Sequence, residues 1–273
     1  MPWPERWGKK TCVMGVINVT PDSFSDGGLY LNPDKALSRA TELLNEEADV
    51  LDIGSQSTRP GADQIGPLEE LKRLIPALLS IRENHKRALI SVDTFLPEVA
   101  FKSLELGADW INDITGGRRN PEMFRVIADA KCPFVLMHSR GDSKSMDKYT
   151  SYLDVAREVR EGLLRRTELA LASGILPQNL IWDPGIGFAK TTEQNVILLR
   201  DLSNLRNEGF PLLVGPSRKR FIGSVINEPS PQQRIWGTIA VVCKCLEAKV
   251  DMVRVHDVGP TVKALRMADQ LWI

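Results

Sequence analysis

Apolar and polar residues fall in blocks along this chain. Short runs rich in Val, Ile, Leu and Trp recur at 12–17, 49–53, 89–92, 110–114, 133–137, 180–182, 212–214 and 252–255. Runs so short and so continuous predict strands buried on both faces, as in a parallel sheet. Between them, apolar residues recur every three or four positions over 33–47, 68–83, 97–106, 121–130, 152–173, 192–205, 232–248 and 261–269. That spacing predicts amphipathic helices. Pro97 and Pro121 stand at helix starts, and Gly107 and Gly174 at helix ends, the expected punctuation. Eight strand-then-helix units with no low-complexity linker or charge block predict one α/β domain over 1–273. A (β/α)8 TIM barrel fits better than an open doubly wound sheet.

Composition narrows the function classes. Lys+Arg and Asp+Glu are 35 each, so formal net charge is zero. No broad nucleic-acid or anionic-membrane surface is expected, although a local cationic pocket is compatible. No apolar run approaches ~18 residues, so no membrane span is expected. The first ten residues carry two Trp and mixed charge, and lack the apolar stretch of a secretion signal. Cys12, Cys132, Cys243 and Cys245 form no Cys-x-x-Cys pair. They predict buried reduced thiols and a cytoplasmic protein.

The candidate chemistry lies at the C-terminal ends of the predicted strands, the rim where barrels place active sites. Strand one runs into Asn18-Val19-Thr20-Pro21-Asp22-Ser23-Phe24-Ser25-Asp26-Gly27-Gly28, an amide, two carboxylates and an aromatic in one loop. Asn18 could help place a Mg²⁺ that keeps most of its waters, or merely cap the turn. Asp93, Asn112 and Asp183 suit a flat heterocycle with N–H donors on one edge. They equally suit acid/base carboxylates, helix caps or a metal site. Ser217-Arg218-Lys219 places two cations where a helix opens, which implies a nearby anion or a solvated basic surface. Arg254 and His256, two apart on a strand, share a face and suit phosphate oxygens. Their alternative is an interior ion pair with Asp257 or another carboxylate. His85 reads as a solvated helix end and His138 as a hydrogen-bonded structural residue. No nucleotide-binding glycine loop, His-Glu-x-x-His or Gly-x-Ser-x-Gly is present.

Taken in order, Asn18-Val19-Thr20-Pro21-Asp22-Ser23-Phe24, Ser57-Thr58-Arg59-Pro60-Gly61, Ser91-Val92-Asp93-Thr94, Ile111-Asn112-Asp113, Asp183-Pro184-Gly185-x-Gly187-Phe188, Ser217-Arg218-Lys219 and Arg254-x-His256 are recognisable. From Val13 to Val258 the chain resembles the dihydropteroate synthase family of pterin-binding barrels. The resemblance implies joining 6-hydroxymethyl-7,8-dihydropterin diphosphate to p-aminobenzoate with release of diphosphate, in folate synthesis. It implies Mg²⁺ as cofactor, a dissociative mechanism and a homodimer, and the neutral charge and hydropathy already predict no nucleic-acid or membrane partner.

Roles carry over by position. Asp93, Asn112, Met137, Asp183, Gly187, Phe188 and Lys219 would hold the pterin. Asn18, with Mg²⁺, and Thr58, Arg254 and His256 would hold the diphosphate. Phe24, Pro60, Phe188, Ser217 and Lys219 would frame p-aminobenzoate. Asn18, Asp26, Arg59 and Lys219 would be catalytic. A pterin-dependent methyltransferase shares the pterin set but needs no diphosphate pocket. A non-catalytic pterin binder would have no use for Asn18, Asp26 and Arg59 together. Two stretches depart from the family pattern. Gly54-Ser55-Gln56-Ser57-Thr58 stands where Gly-Gly-Glu-Ser-Thr is usual. His138-Ser139-Arg140-Gly141-Asp142-Ser143 stands where His-Met-x-Gly-x-Pro is common.

Overall fold

The computed structural model describes residues 2–20, 33–57 and 61–272. Its centre is a parallel sheet of β1 (Cys12–Asn18), β2 (Val50–Gly54), β3 (Leu89–Asp93), β4 (Trp110–Asp113), β5 (Phe134–Met137), β6 (Leu180–Asp183), β7 (Leu213–Val214) and β8 (Met252–Val255). The strand order is 6-5-4-3-2-1-8-7, and a parallel bridge between Trp182 and Leu212 closes the ring. The expected (β/α)8 barrel is the observed fold.

Around it lie α1 (Pro33–Asn45), α2 (Pro67–Asn84), α3 (Pro97–Glu105), α4 (Glu122–Ala130), α5 (Val155–Ala172), α6 (Thr192–Arg200), α7 (Leu202–Arg206), α8 (Arg220–Ile226), α9 (Ile235–Glu247) and α10 (Val258–Trp272). The helix expected over 192–205 is two helices. Asp201 ends α6 by donating its amide to the Ile197 and Leu198 carbonyls, and the bend buries Leu198, Leu202 and Leu205 together. The helix expected from 232 opens with a 3-10 turn, because the Arg234 guanidinium folds back onto the Arg218, Glu228 and Pro229 carbonyls. α8 was not legible as an element of its own. His85, expected to be solvated, is half-buried at the end of α2, its Nε2 2.8 Å from Thr41 Oγ1.

The core has two parts. Leu51, Ile53, Val92, Ile111, Phe134 and Trp182 point outward from the barrel to pack against helices. Cys12, Met14, Val50, Trp110, Val135, Ile181, Leu213 and Met252 fill the barrel interior. Side chains alternate along a strand, so residues two further on also point inward. Asp52, Asn112, Met137, Asp183 and Arg254 occupy those places. The apolar floor and the polar site are thus successive layers of one inward file.

The N-terminal segment seals the barrel floor. Trp3, Trp7 and Trp110 meet at centroid distances of 4.8–5.6 Å, and Trp110 Nε1 donates to the Pro2 carbonyl. Arg6 forks onto Asp49 with contacts of 2.7 and 2.6 Å. The same carboxylate accepts the Val13 amide at 2.7 Å, which ties this segment to β1.

Candidate active site

Strand register assembles the first part of the site. Asn18 pairs with Gly54, Gly54 with Asp93, and Asp93 with Asn112, so residues spread over 95 positions share one rung. Gly54 keeps that rung open. A Cβ there would stand 3.7 Å from Asp93 Oδ2 and 3.9 Å from Asn18 Oδ1. Met137 and Asp183 pair on β5 and β6 and complete the far wall.

The structure adds Asp52, which the sequence reading passed over inside an apolar run. Arg254 Nε donates to Asp52 Oδ2 at 2.6 Å and Nη2 to Asp93 Oδ2 at 2.8 Å. Asn112 Nδ2 reaches the same Asp52 oxygen at 3.3 Å. Arg254, expected among phosphate ligands, thus also forks onto two buried carboxylates through Nε and Nη2. Burial pushes the Asp93 carboxyl upward from its ordinary range, and the Arg254 charge opposes that. Asp52 Oδ1, Ser91 Oγ and Asn112 Oδ1 are buried with no hydrogen-bond partner among the described residues. Buried polar atoms without partners are uncommon, and these are acceptors suited to an incoming N–H edge.

The loop after β6 and the approach to α8 form the next wall. Asp183 is buried, and its Oδ1 accepts the Gly185 amide at 2.7 Å. Burial raises its pKa, with the Lys219 charge acting the other way. Lys219 caps the N-terminus of α8 and sends its ammonium inward rather than to solvent. Its Nζ donates to the Ile186 carbonyl and sits 4.4 Å from the Phe188 ring centroid. Burial pushes this lysine down to about 8, with Asp183 pulling it back up. Gly187 is required beside it. At φ 81° a Cβ would lie 2.6 Å from Lys219 Cδ.

β7 and β8 supply the remaining polar groups. Ser217 is buried, and its Oγ lies 2.9 Å from His256 Nδ1 and accepts the His256 amide at 3.2 Å. Arg218, the other cation of the Ser-Arg-Lys run, turns away and forks onto Asp257 at 3.0 and 2.6 Å. Only Lys219 of the pair serves the slot.

Both departures from the family pattern acquire physical reasons. Gln56 Nε2 donates to buried Glu70 at 2.8 Å, and Gln56 Oε1 accepts the Ile65 amide at 3.0 Å. A glutamate at position 56 would set two carboxylates against each other. Ser143, where the family often has proline, bridges the loops after β2 and β5. Its hydroxyl donates to the Ala62 carbonyl and its carbonyl accepts the Gly61 amide, both at 2.8 Å. Lys144 pairs with Asp63 at 2.6 Å beside them. A cavity of about 250 Å³ lies between these loops, lined by Gln56, Phe95, Arg118, Arg119, Arg140 and Phe188 among others.

Asp22, Phe24, Asp26, Thr58, Arg59 and Pro60, expected as site residues or their neighbours, lie outside the described residues. Among the described residues no three His, Cys, Asp or Glu side chains converge as a metal cage. A Mg²⁺ carried on a diphosphate needs few protein oxygens, and the Asn18 amide facing the open rung is of the right chemistry.

The comparisons agree with this geometry. The family model described as "Pterin binding enzyme" matches residues 14–256. The dihydropteroate synthase of a Synechocystis strain is 47% identical over 97% of this chain and 92% of its own length. A dihydropteroate synthase structure from Xanthomonas albilineans with 4-aminobenzoic acid is 40% identical. Its TM-score is 0.90, over 96% of this chain and 93% of that one. The same organism's enzyme in complex with 7,8-dihydropteroate superposes with a TM-score of 0.86 at 38% identity, over 96% and 94% of the two chains. Some relatives are longer, and this chain spans 36% of the Pneumocystis carinii folic acid synthesis protein fol1. No helix among the described residues is long and apolar enough to cross a membrane. By its barrel, the family model and these relatives, the chain belongs to the pterin-binding enzyme family, in its dihydropteroate synthase branch.

Proposed function

We propose that the protein joins 6-hydroxymethyl-7,8-dihydropterin diphosphate to p-aminobenzoate, forming 7,8-dihydropteroate and diphosphate. The observation that carries this reading is the buried layer of acceptors left without a partner among the described residues, Asp52 Oδ1 and Asn112 Oδ1, beside Asp93, Asp183 and Lys219. The related structures with 4-aminobenzoic acid and 7,8-dihydropteroate support it.

In this reading Asn112, Asp93 and Asp183 accept N–H donors from the pterin edge. Lys219 exchanges the Ile186 carbonyl for the ring carbonyl. Met137 and Gly187 bound the ring. The C–O bond to diphosphate breaks ahead of attack, and the leaving group departs with the electron pair. A carboxylate stabilises the methylene cation, a task assigned to Asp26, with Arg59 as a further catalytic residue. Arg254, with His256 and Thr58, offsets charge on the departing oxygens. Mg²⁺, when bound through Asn18, would add Lewis-acid neutralisation of the diphosphate. The amine of p-aminobenzoate, held among Phe24, Pro60, Phe188, Ser217 and Lys219, attacks and sheds a proton to water. An aromatic amine is already nucleophilic, so no strong general base is required.

A homodimer fits the exposed apolar residues Val225, Ile226, Trp236, Met267 and Leu271 on α8, α9 and α10, and light scattering would read it directly. Four free thiols fit a reducing compartment such as the cytoplasm. The test of activity is to incubate the protein with Mg²⁺, the pterin diphosphate and labelled p-aminobenzoate. Labelled dihydropteroate and equimolar diphosphate are expected. Pterin binding with no labelled product would overturn catalysis and leave a pterin-binding protein.

A further inference from the structure

Lys190 is a second inward-directed lysine at this site, itself buried, and the reaction gives it no role. Only 9% of its surface is exposed. Burial pushes this amine down to about 7, with Asp183 pulling it back up, and charged or neutral its N–H donors need partners, because each one left unmade is costly. Lys190 Nζ donates to the Gly185 carbonyl at 3.0 Å and to the Phe188 carbonyl at 3.0 Å, and lies 3.4 Å from His138 Nδ1. His138 is itself bolted down. Its amide donates to the Asp183 carbonyl at 2.9 Å. A Cβ on Gly162 would come within 2.7 Å of its ring.

The turn between Asp183 and Lys190 therefore lies between two lysine Nζ groups. Lys190 takes the carbonyls of Gly185 and Phe188, and Lys219 takes the intervening carbonyl of Ile186. The remaining bonds of the turn are local. Phe188 donates its amide to Gly185 at 3.1 Å, and Gly187 donates to Asn195 Oδ1 at 2.6 Å. Asn195 Nδ2 in turn donates to the Lys190 and Thr191 carbonyls at 3.3 and 2.7 Å. Gly185 is close-packed on the same anchor. A Cβ there would stand 1.9 Å from the His138 carbonyl oxygen.

We propose that Lys190 is a positioning residue for the arylamine substrate. Its Nζ keeps the 185–188 turn folded from the interior, so that the Phe188 ring stays presented when Lys219 leaves the Ile186 carbonyl for a ligand. This rests on the reaction proposed above. It assigns the two lysines different duties, Lys219 to ligand contact and Lys190 to the platform that ligand lies on.

The test compares Lys190→Met with the parent protein. Losing this set of bonds is expected to raise KM for p-aminobenzoate about tenfold or more, and KM for the pterin diphosphate, which touches the turn at Gly187 but is gripped mainly by Asp93, Asn112, Asp183 and Lys219, by about threefold or less. Lys190→Arg, which restores charge and donors, is expected to recover part of that loss. Amide hydrogen exchange supplies a readout that needs no turnover. Phe188 N–H is expected to exchange faster in Lys190→Met, while Val253 in β8 keeps its protection. Equal losses for both substrates, or unchanged exchange at Phe188, would overturn the proposal. Should the parent form no dihydropteroate, the reaction falls and the exchange arm still decides the clamp. If Lys190→Met does not fold, Lys190→Gln, which keeps N–H donors without the charge, is held to the same criteria.

Discussion

Replacing Arg254 with methionine keeps side-chain length and removes the charge that serves both Asp52 and Asp93. The Asp52 side chain is 0% exposed and Asp93 10%, so water cannot take over from the guanidinium. Breaking a buried pair from one side typically costs about 3–5 kcal/mol, because the surviving charge stays uncompensated. For a chain of this size that corresponds to a melting-temperature drop of roughly 8 °C. Urea unfolding of parent and variant at pH 8 and pH 5 would measure it. The pH arm has a definite sign. Without Arg254 the Asp93 pKa, already raised by burial, moves higher still in the folded state. A carboxyl whose folded pKa exceeds its unfolded value favours folding at low pH and loses that contribution as pH rises. The deficit of Arg254→Met should therefore be larger at pH 8 than at pH 5. A variant within about 1 kcal/mol of the parent at both pH values would refute the view that this fork holds the slot floor together.

Asp183→Ala and Lys219→Ala should each lower kcat/KM by at least ~30-fold, about 2 kcal/mol, since each removes a charge-assisted contact, and steady-state kinetics would show it. Because Lys219 is held down to about 8 and acts charged, kcat/KM should fall as pH rises through about 8. Lys219→Arg should move that limb upward, and a pH–rate profile checks both. Trp110→Phe, which deletes the bond to the Pro2 carbonyl at the barrel floor, should cost about 1–2 kcal/mol by urea unfolding. Its kcat should stay within about twofold of the parent.

The strands were legible because a barrel strand is buried on both faces and reads as an unbroken apolar run. β1, β2 and β8 match their runs to within a residue. The same property hid Asp52. A single carboxylate inside Val-Leu-Asp-Ile-Gly looks like an edge of the pattern, and only the register with Ser91 and Val16 shows that it points inward. Asn112, Asp183 and Lys219 could be named because polar residues at strand ends or helix starts stand out locally. Which cation of Ser217-Arg218-Lys219 faces the slot was not local information. It depends on Asp257, 39 residues away, claiming Arg218. Lys190 carried no motif beyond a position after a glycine-rich turn. Its role depends on carbonyl directions that no side-chain pattern encodes.

The inward file has a consequence for how this chain can change. Asp93 lies two positions beyond Ser91, and its neighbour Val92 packs outward among the helices. Deleting one residue within β3 would swap them, exiling the carboxylate to an oily layer and pushing an isopropyl group into the slot. Whole loops on the rim can lengthen or shorten at modest cost. Evolutionary indels, and any engineered splice, should therefore accumulate between strands, while each strand keeps its residue count even where its letters drift.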